Sequence, residues 1–255
     1  MSEPVITPVA PEPPMSTGPH WQPVASYLHT FLIVALLCAV GVMSMLTLQR
    51  GGATVKATSL YIQTIIWLWV LSLLVYFGLR RRGTRLRDIF GQTWQSFDDA
   101  LMDIGIFVGF WIAAMVILVG ANAVLMKLTG TVAPKTIPTE LQMLAPKGAL
   151  GLSLWLILSV SAGICEEFVF RGYLQRQFSA LARNAAAGIV LSAIVFSVGH
   201  LYEGIVKAGV IGVFGILLGT LAYARRSLAP GMLAHAWHDI FAGLLLYVLP
   251  HWLQR

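Results

Sequence analysis

Seven long apolar runs, separated by short clusters of basic residues, constrain this chain more than any other feature. They fall at roughly 27–48, 58–79, 101–126, 149–171, 186–201, 205–224 and 229–249. A helix needs about 20 predominantly apolar residues to cross the hydrocarbon core of a bilayer, and each run reaches or approaches that length. Of the 255 residues, 57% are hydrophobic and only 11% charged. Soluble domains carry about 25% charged residues, so this chain lacks the polar surface to face water on all sides. In lipid, the backbone groups of a span must be satisfied within the span itself, which selects helices here. The expected fold is therefore all-α: a polytopic transmembrane bundle of seven to eight spans. The eighth would come from an interfacial or re-entrant helix within 89–100 or 136–147.

The remaining sequence organises these spans. Residues 1–25 are rich in Pro, Ser and Thr and contain no Lys or Arg. A signal peptide needs a basic region ahead of its apolar core, so this stretch reads as a disordered tail. Residues 26–148 read as scaffold helices with a basic loop at 80–88, and 149–250 as the part that carries chemistry. Arg80, Arg81, Arg82, Arg85 and Arg87 fall on one side of the membrane with Arg171, Arg176, Arg183, Arg225 and Arg226. Arg50, Lys56, Lys127, Lys135, Lys147 and Arg255 fall on the other. The tighter arginine clusters place the first side, and the N-terminus, in the cytoplasm. The net charge of +6 is thus a matter of topology, and no nucleic-acid partner is expected. Cys38 and Cys165 lie inside apolar runs and form neither a disulfide framework nor a CxxC metal pair. Gly209, Gly212, Gly215 and Gly219 mark the sixth run as one that packs closely against neighbours.

An ionisable residue at the bilayer centre costs from about 3 kcal/mol upward, so such residues are functional candidates. Spans one and two have no Asp, Glu, Lys or Arg, and span three has only Asp103. Glu166, Glu167, Arg171, His200, His235, His238 and Asp239 all lie in the second half. Glu167 and Arg171 are four apart and can pair, either at a site or as a structural ion pair. Glu166 points about 100° away from Glu167 on an α-helix, so the two carboxylates need not share a task. Phe196 with His200, and His235 with Asp239, each share one helix face. Three helices thus offer polar groups that can converge. His238 either lines the cavity or packs. Glu203 and Lys207 read as interfacial and structural, and His20, His29 and His251 as lying outside any site. With straight spans, His200 lands deeper than Glu166 and His235. Convergence requires that span four extend beyond 171 or that span five start earlier.

Three patterns stand in order: E-E-x-x-x-R at Glu166–Arg171, F-x-x-x-H at Phe196–His200 and H-x-x-x-D at His235–Asp239. Each alone is weak; all three, each in an apolar span, are specific. Over residues 150–249 the chain resembles the CAAX protease and bacteriocin-processing family, the type II CAAX prenyl endopeptidase group of intramembrane proteases. The resemblance implies a helical bundle whose site opens toward the cytoplasm. It implies peptide hydrolysis with Glu166 activating water, assisted by His200. His235 and Asp239 match positions that polarise the scissile carbonyl and stabilise the oxyanion. Glu167 and Arg171 match supporting positions that hold Glu166, and Phe196 supports His200. The substrate would be a membrane-associated peptide or protein, with a prenylated cysteine as one option. No nucleophilic Ser or Cys stands beside a base, which agrees with attack by water.

Glu166, His200 and His235 would be the ligands if zinc took part, since zinc accepts N and O donors. HExxH is absent, and the reading adopted is metal-free, with no cofactor. An ionised Asp239 can only accept a hydrogen bond. It must therefore carry a proton or act by orienting His235, and the second role is preferred. Two other classes remain open: a non-catalytic immunity or scaffold protein that keeps these residues as a polar core, and a proton-coupled transporter. Internal repeats, which would favour the transporter, are not evident.

Overall fold

A computed structural model describes residues 21–49, 56–91, 94–132 and 144–253, apart from the side chains of 48, 49 and 249–253. The expected tail up to residue 20, Arg50, Lys135, Arg255, His20, most of 136–147 and the side chain of His251 lie outside the described residues.

The chain forms α1 (Tyr27–Gln49), α2 (Ala57–Arg81), the short α3 (Leu86–Phe90) and α4 (Phe97–Thr129). Then come α5 (Gly148–Ala182), α6 (Ala185–Gly199), α7 (Ile205–Arg225) and α8 (Ala229–Leu253). Among the described residues there is no strand; a lone bridge joins Gly91 to Ser227. Each of the seven apolar runs is a helix. By length and composition α1, α2, α4, α5 and α7 can each cross a membrane. The two remaining runs differ for physical reasons. Helix α6 has 15 residues, fewer than a full crossing needs. Helix α8 has 25, but His235, His238 and Asp239 lower its hydropathy. The described residues of 89–100 hold no separate helix: the five-residue α3 ends at Phe90 and α4 begins at Phe97.

Local chemistry sets the helix ends. Ser96 and Asp99 form a reciprocal capping box at the start of α4, with bonds of 3.1 Å each way. Asn184 caps α6 by accepting from the Ala187 N–H at 3.0 Å. Helix α5 runs past its expected end at 171 because its last turns are amphipathic rather than apolar. Gln175 and Gln177 are buried there, donating to Gly219 O at 3.0 Å and Ala25 O at 3.1 Å. This extension places Glu166 near the middle of α5, which removes the depth mismatch with His200. Between the two α-helical parts, Glu167–Leu174 is wound as a π-helix, a form most often found at functional sites.

Helix α8 packs along α5, α5 along α2, and α6 along α7; α4 covers α7 and α8, and α1 covers α6. The glycines of α7 permit the close approach: a Cβ on Gly215 would lie 3.1 Å from the Ala193 Cβ. Outward faces are apolar, as on α4, where Val116 and Val119 are each 72% exposed. Lipid, not water, is the solvent such faces suit. The scaffold is tied to the later helices at the arginine-rich end. Arg225 pairs with buried Asp103 at 3.1 Å, and Arg176 donates to the carbonyls of Asp88 and Ile89 at 2.6 and 3.0 Å. The expected tail ends earlier than residue 25, because Gln177 Oε1 accepts from the N–H groups of Val24 and Ala25 at 2.6 and 3.2 Å.

The close contact between α5 and α8 predicts a stability effect. A Cβ on Gly163 would meet Ala236 and the Met232 carbonyl at 2.8 Å. Overpacking of this kind costs about 1–3 kcal/mol. Gly163→Ala should lower the melting temperature in detergent, whereas Gly109→Ala, with nothing within 4 Å of its Cβ, should not.

Candidate active site

Glu166, the last residue before the π turn, and Glu167, its first, both reach one imidazole. Helix α8 presents His235, 4% exposed, against the start of that turn. Its Nδ1 lies 2.8 Å from Glu167 Oε1, and its Nε2 lies 3.5 Å from Glu166 Oε2. The consecutive carboxylates thus meet opposite edges of the same ring. The sequence expectation that they point apart holds for an α-helix, and the wider π winding begins at Glu167.

Glu167 is fully buried, as is its partner Arg171, whose Nη1 donates to the same Oε1 at 2.7 Å. The guanidinium also donates to Gly215 O at 3.3 Å and sits 4.6 Å from the Phe196 ring centroid. A carboxylate that already accepts from an arginine accepts again from the imidazole, so His235 Nδ1 carries the proton of that bond. The supporting pair therefore holds His235 directly, where the resemblance implied Glu166. Gly231 leaves room for it: a Cβ there would lie 3.3 Å from Glu167 Oε2.

Asp239 is placed differently from expectation. Its Oδ2 is 3.8 Å from His235 Nε2, too long for a hydrogen bond. Glu167 orients the ring through Nδ1, while Asp239 joins Glu166 in facing Nε2. The side chains of Glu166 and Asp239 are 15% and 30% exposed, so this edge of the ring is the reachable one.

His200 follows the last residue of α6. Its Nδ1 lies 2.8 Å from Phe196 O. A carbonyl only accepts, so Nδ1 is protonated, and in the neutral ring Nε2 keeps its lone pair. The Phe196 ring joins the cluster, at 4.7 Å from His200 and 6.0 Å from His235, with Arg171 over its face. Helices α5, α6 and α8 thereby converge. His238 packs on Phe214 at 4.8 Å, and that ring also touches His235 at 5.7 Å. His29 lies outside this cluster, its ring nitrogens 2.7 Å from the Tyr173 hydroxyl and 3.1 Å from Leu74 O. Sequence reasoning missed Phe214, Gly231 and Tyr202, which stacks on His200 at 6.0 Å. An aromatic or a glycine in an apolar run carries no signal that separates it from packing.

Among the described residues, no three His, Cys, Asp or Glu side chains gather as metal ligands do. The set Glu166, His200 and His235 does not form such a group.

Removing one partner of a buried ion pair strands the other charge, at a cost of about 3–5 kcal/mol. Arg171→Met should therefore lower the unfolding free energy in detergent by that amount, and the denaturation midpoint with it. An unchanged midpoint would mean that Glu167 does not depend on Arg171.

No curated protein and no solved structure matches the chain. The family model described as type II CAAX prenyl endopeptidase Rce1-like matches residues 148–241. That stretch runs from the start of α5 into α8 and contains all the residues of the three motifs. Over residues 148–241, the chain is similar to the Rce1-like type II CAAX prenyl endopeptidase family.

Proposed function

We propose that the protein is an intramembrane endopeptidase that hydrolyses a peptide bond with water activated by Glu166. The observation that carries this reading is the His235 ring, fixed by buried Glu167 on one edge and facing the partly exposed Glu166 on the other. The membrane setting and the protease family supply the coarser frame. Residues 149–250 form the catalytic part and 26–148 the scaffold. The arginine-rich end faces the cytoplasm.

The chain's own groups account for each step. Glu166 takes a proton from water as the oxygen attacks the carbonyl carbon, assisted by the bare Nε2 of His200. General bases of this kind typically contribute about 10²–10⁴-fold. The carbonyl oxygen becomes an oxyanion, and a proton on His235 Nε2 donates to it. Such donors act best when their direction is set before the reaction, which is what Glu167 provides. The C–N bond then breaks, and the leaving amine takes the proton held by Glu166. Asp239, facing the same Nε2, favours the protonated ring. The reaction uses no metal. Substrates are peptides or proteins presented from the membrane, with a prenylated cysteine near the scissile bond as the first class to test.

The experiment uses two fluorogenic probes in detergent and in vesicles: a farnesylated peptide and a transmembrane-segment peptide. Wild type should cleave at least one of them, with activity surviving a chelator that strips zinc. Glu166→Gln keeps shape, loses basicity and should abolish turnover without lowering the melting temperature. Near-wild-type cleavage by Glu166→Gln would remove the mechanism, and reversible inhibition by the chelator would remove its metal-free form.

A further inference from the structure

His200 occupies an unusual position for a group that must point in one direction. It caps α6 at φ −108°, so no following α-helical turn crowds its side chain. The Nδ1–H bond to Phe196 O and the edge-on Phe196 ring constrain it from within the bundle. The remaining side is covered by Tyr202, whose ring lies 6.0 Å from that of His200 at an interplanar angle of 30°. Stacked rings at this separation attract.

The backbone makes this stack part of the fold. The Glu203 N–H donates to His200 O and the Gly204 N–H to Leu201 O, both at 3.0 Å. They close a 3₁₀ turn over Leu201–Glu203. Gly204 leaves that turn at φ +95°, a conformation that side chains other than glycine rarely adopt. Helix α1 packs along the turn. Tyr202 is 38% exposed, so the stack lies at the surface of the bundle. The carboxylates of Glu203, Glu166 and Asp239 lie within electrostatic reach of its phenol.

We infer that Tyr202 is a positioning residue that clamps the His200 ring from the surface of the bundle and keeps Nε2 directed into the site. The inference rests on the hydrolase reading for its effect on rate, but not for the clamp itself. A displacement of about 1 Å in a reacting group can cost 10²-fold, so the clamp acts on kcat rather than on substrate affinity. The stack needs the ring and not the hydroxyl.

The test compares Tyr202→Phe, which keeps the ring, with Tyr202→Leu, which removes it. The protein is the full chain in lipid nanodiscs, with ¹⁵N-labelled histidine assigned to position 200 by loss of its signals in His200→Ala. Wild type and Tyr202→Phe should show one His200 tautomer with Nδ1 protonated. Tyr202→Leu should show averaged ring nitrogens. On whichever fluorogenic probe is cleaved, Tyr202→Phe should stay within about twofold of wild type. Tyr202→Leu should lose about tenfold in kcat with KM within about twofold, roughly the effect of a modest misplacement. Unchanged His200 signals in Tyr202→Leu would overturn the clamp, as would Tyr202→Phe being as impaired as Tyr202→Leu. If wild type cleaves neither probe, the hydrolase reading fails, and the nitrogen spectra still decide the clamp.

Discussion

One oxygen atom, Glu167 Oε1, accepts both from Arg171 at 2.7 Å and from His235 at 2.8 Å. Burying a carboxylate and a guanidinium in an apolar bundle is costly unless each is paired and further hydrogen-bonded. The surrounding structure meets that condition for the guanidinium and for Oε1, while the buried Oε2 has no hydrogen-bond partner among the described residues. The π turn sets the pair, Gly215 offers a carbonyl, Phe196 offers its ring face, and Gly231 withholds a side chain where the carboxylate needs room. Because the carboxylate is fixed, the imidazole on its open edge is fixed as well. Directed donors and bases are what a hydrolytic site in low dielectric requires.

The first half of the chain contributes by holding that arrangement from outside. Tyr173 and Gln177 follow the pair along α5 and bond to α1 and the residues just before it: the Tyr173 hydroxyl is 2.7 Å from His29 Nδ1, and Gln177 bonds the backbone of Val24 and Ala25. Arg176 binds the carbonyls at the end of α3, and Asp103 on α4 pairs with Arg225 at the end of α7. These polar ties sit at the arginine-rich end, on either side of the catalytic helices. Glycine contacts bring the same helices together within the bundle.

Much of this was legible in the sequence, and what was not has identifiable causes. Apolar runs mark every long helix, with all ends but the last of α5 within four residues, since a helix satisfies its backbone within one span. Helix α5 was cut short because Gln175, Arg176 and Gln177 end the apolar pattern, although two of them are buried by their hydrogen bonds. The motif residues were found through residue type and order. Their pairing was misread for two reasons. A π turn leaves no mark in composition or periodicity, and spacing does not show that Glu166 and Glu167, pointing apart, meet opposite nitrogens of one ring. Same-helix spacing favoured Asp239 as the partner of His235, but Glu167 on the neighbouring helix is nearer and reaches the other nitrogen. Tyr202 was invisible because an aromatic beside an apolar run reads as packing until its ring is seen over His200.

The central claim is that Glu167, and not Asp239, fixes His235. The Nδ1 proton of His235, observed by NMR of ¹⁵N-histidine protein in nanodiscs, reports it most directly. A proton shared with a carboxylate is strongly deshielded, because charge-assisted bonds are short. The account predicts that this resonance persists in Asp239→Asn and moves upfield in Glu167→Gln, where the acceptor is neutral. A resonance that moves in Asp239→Asn and stays in Glu167→Gln would contradict it.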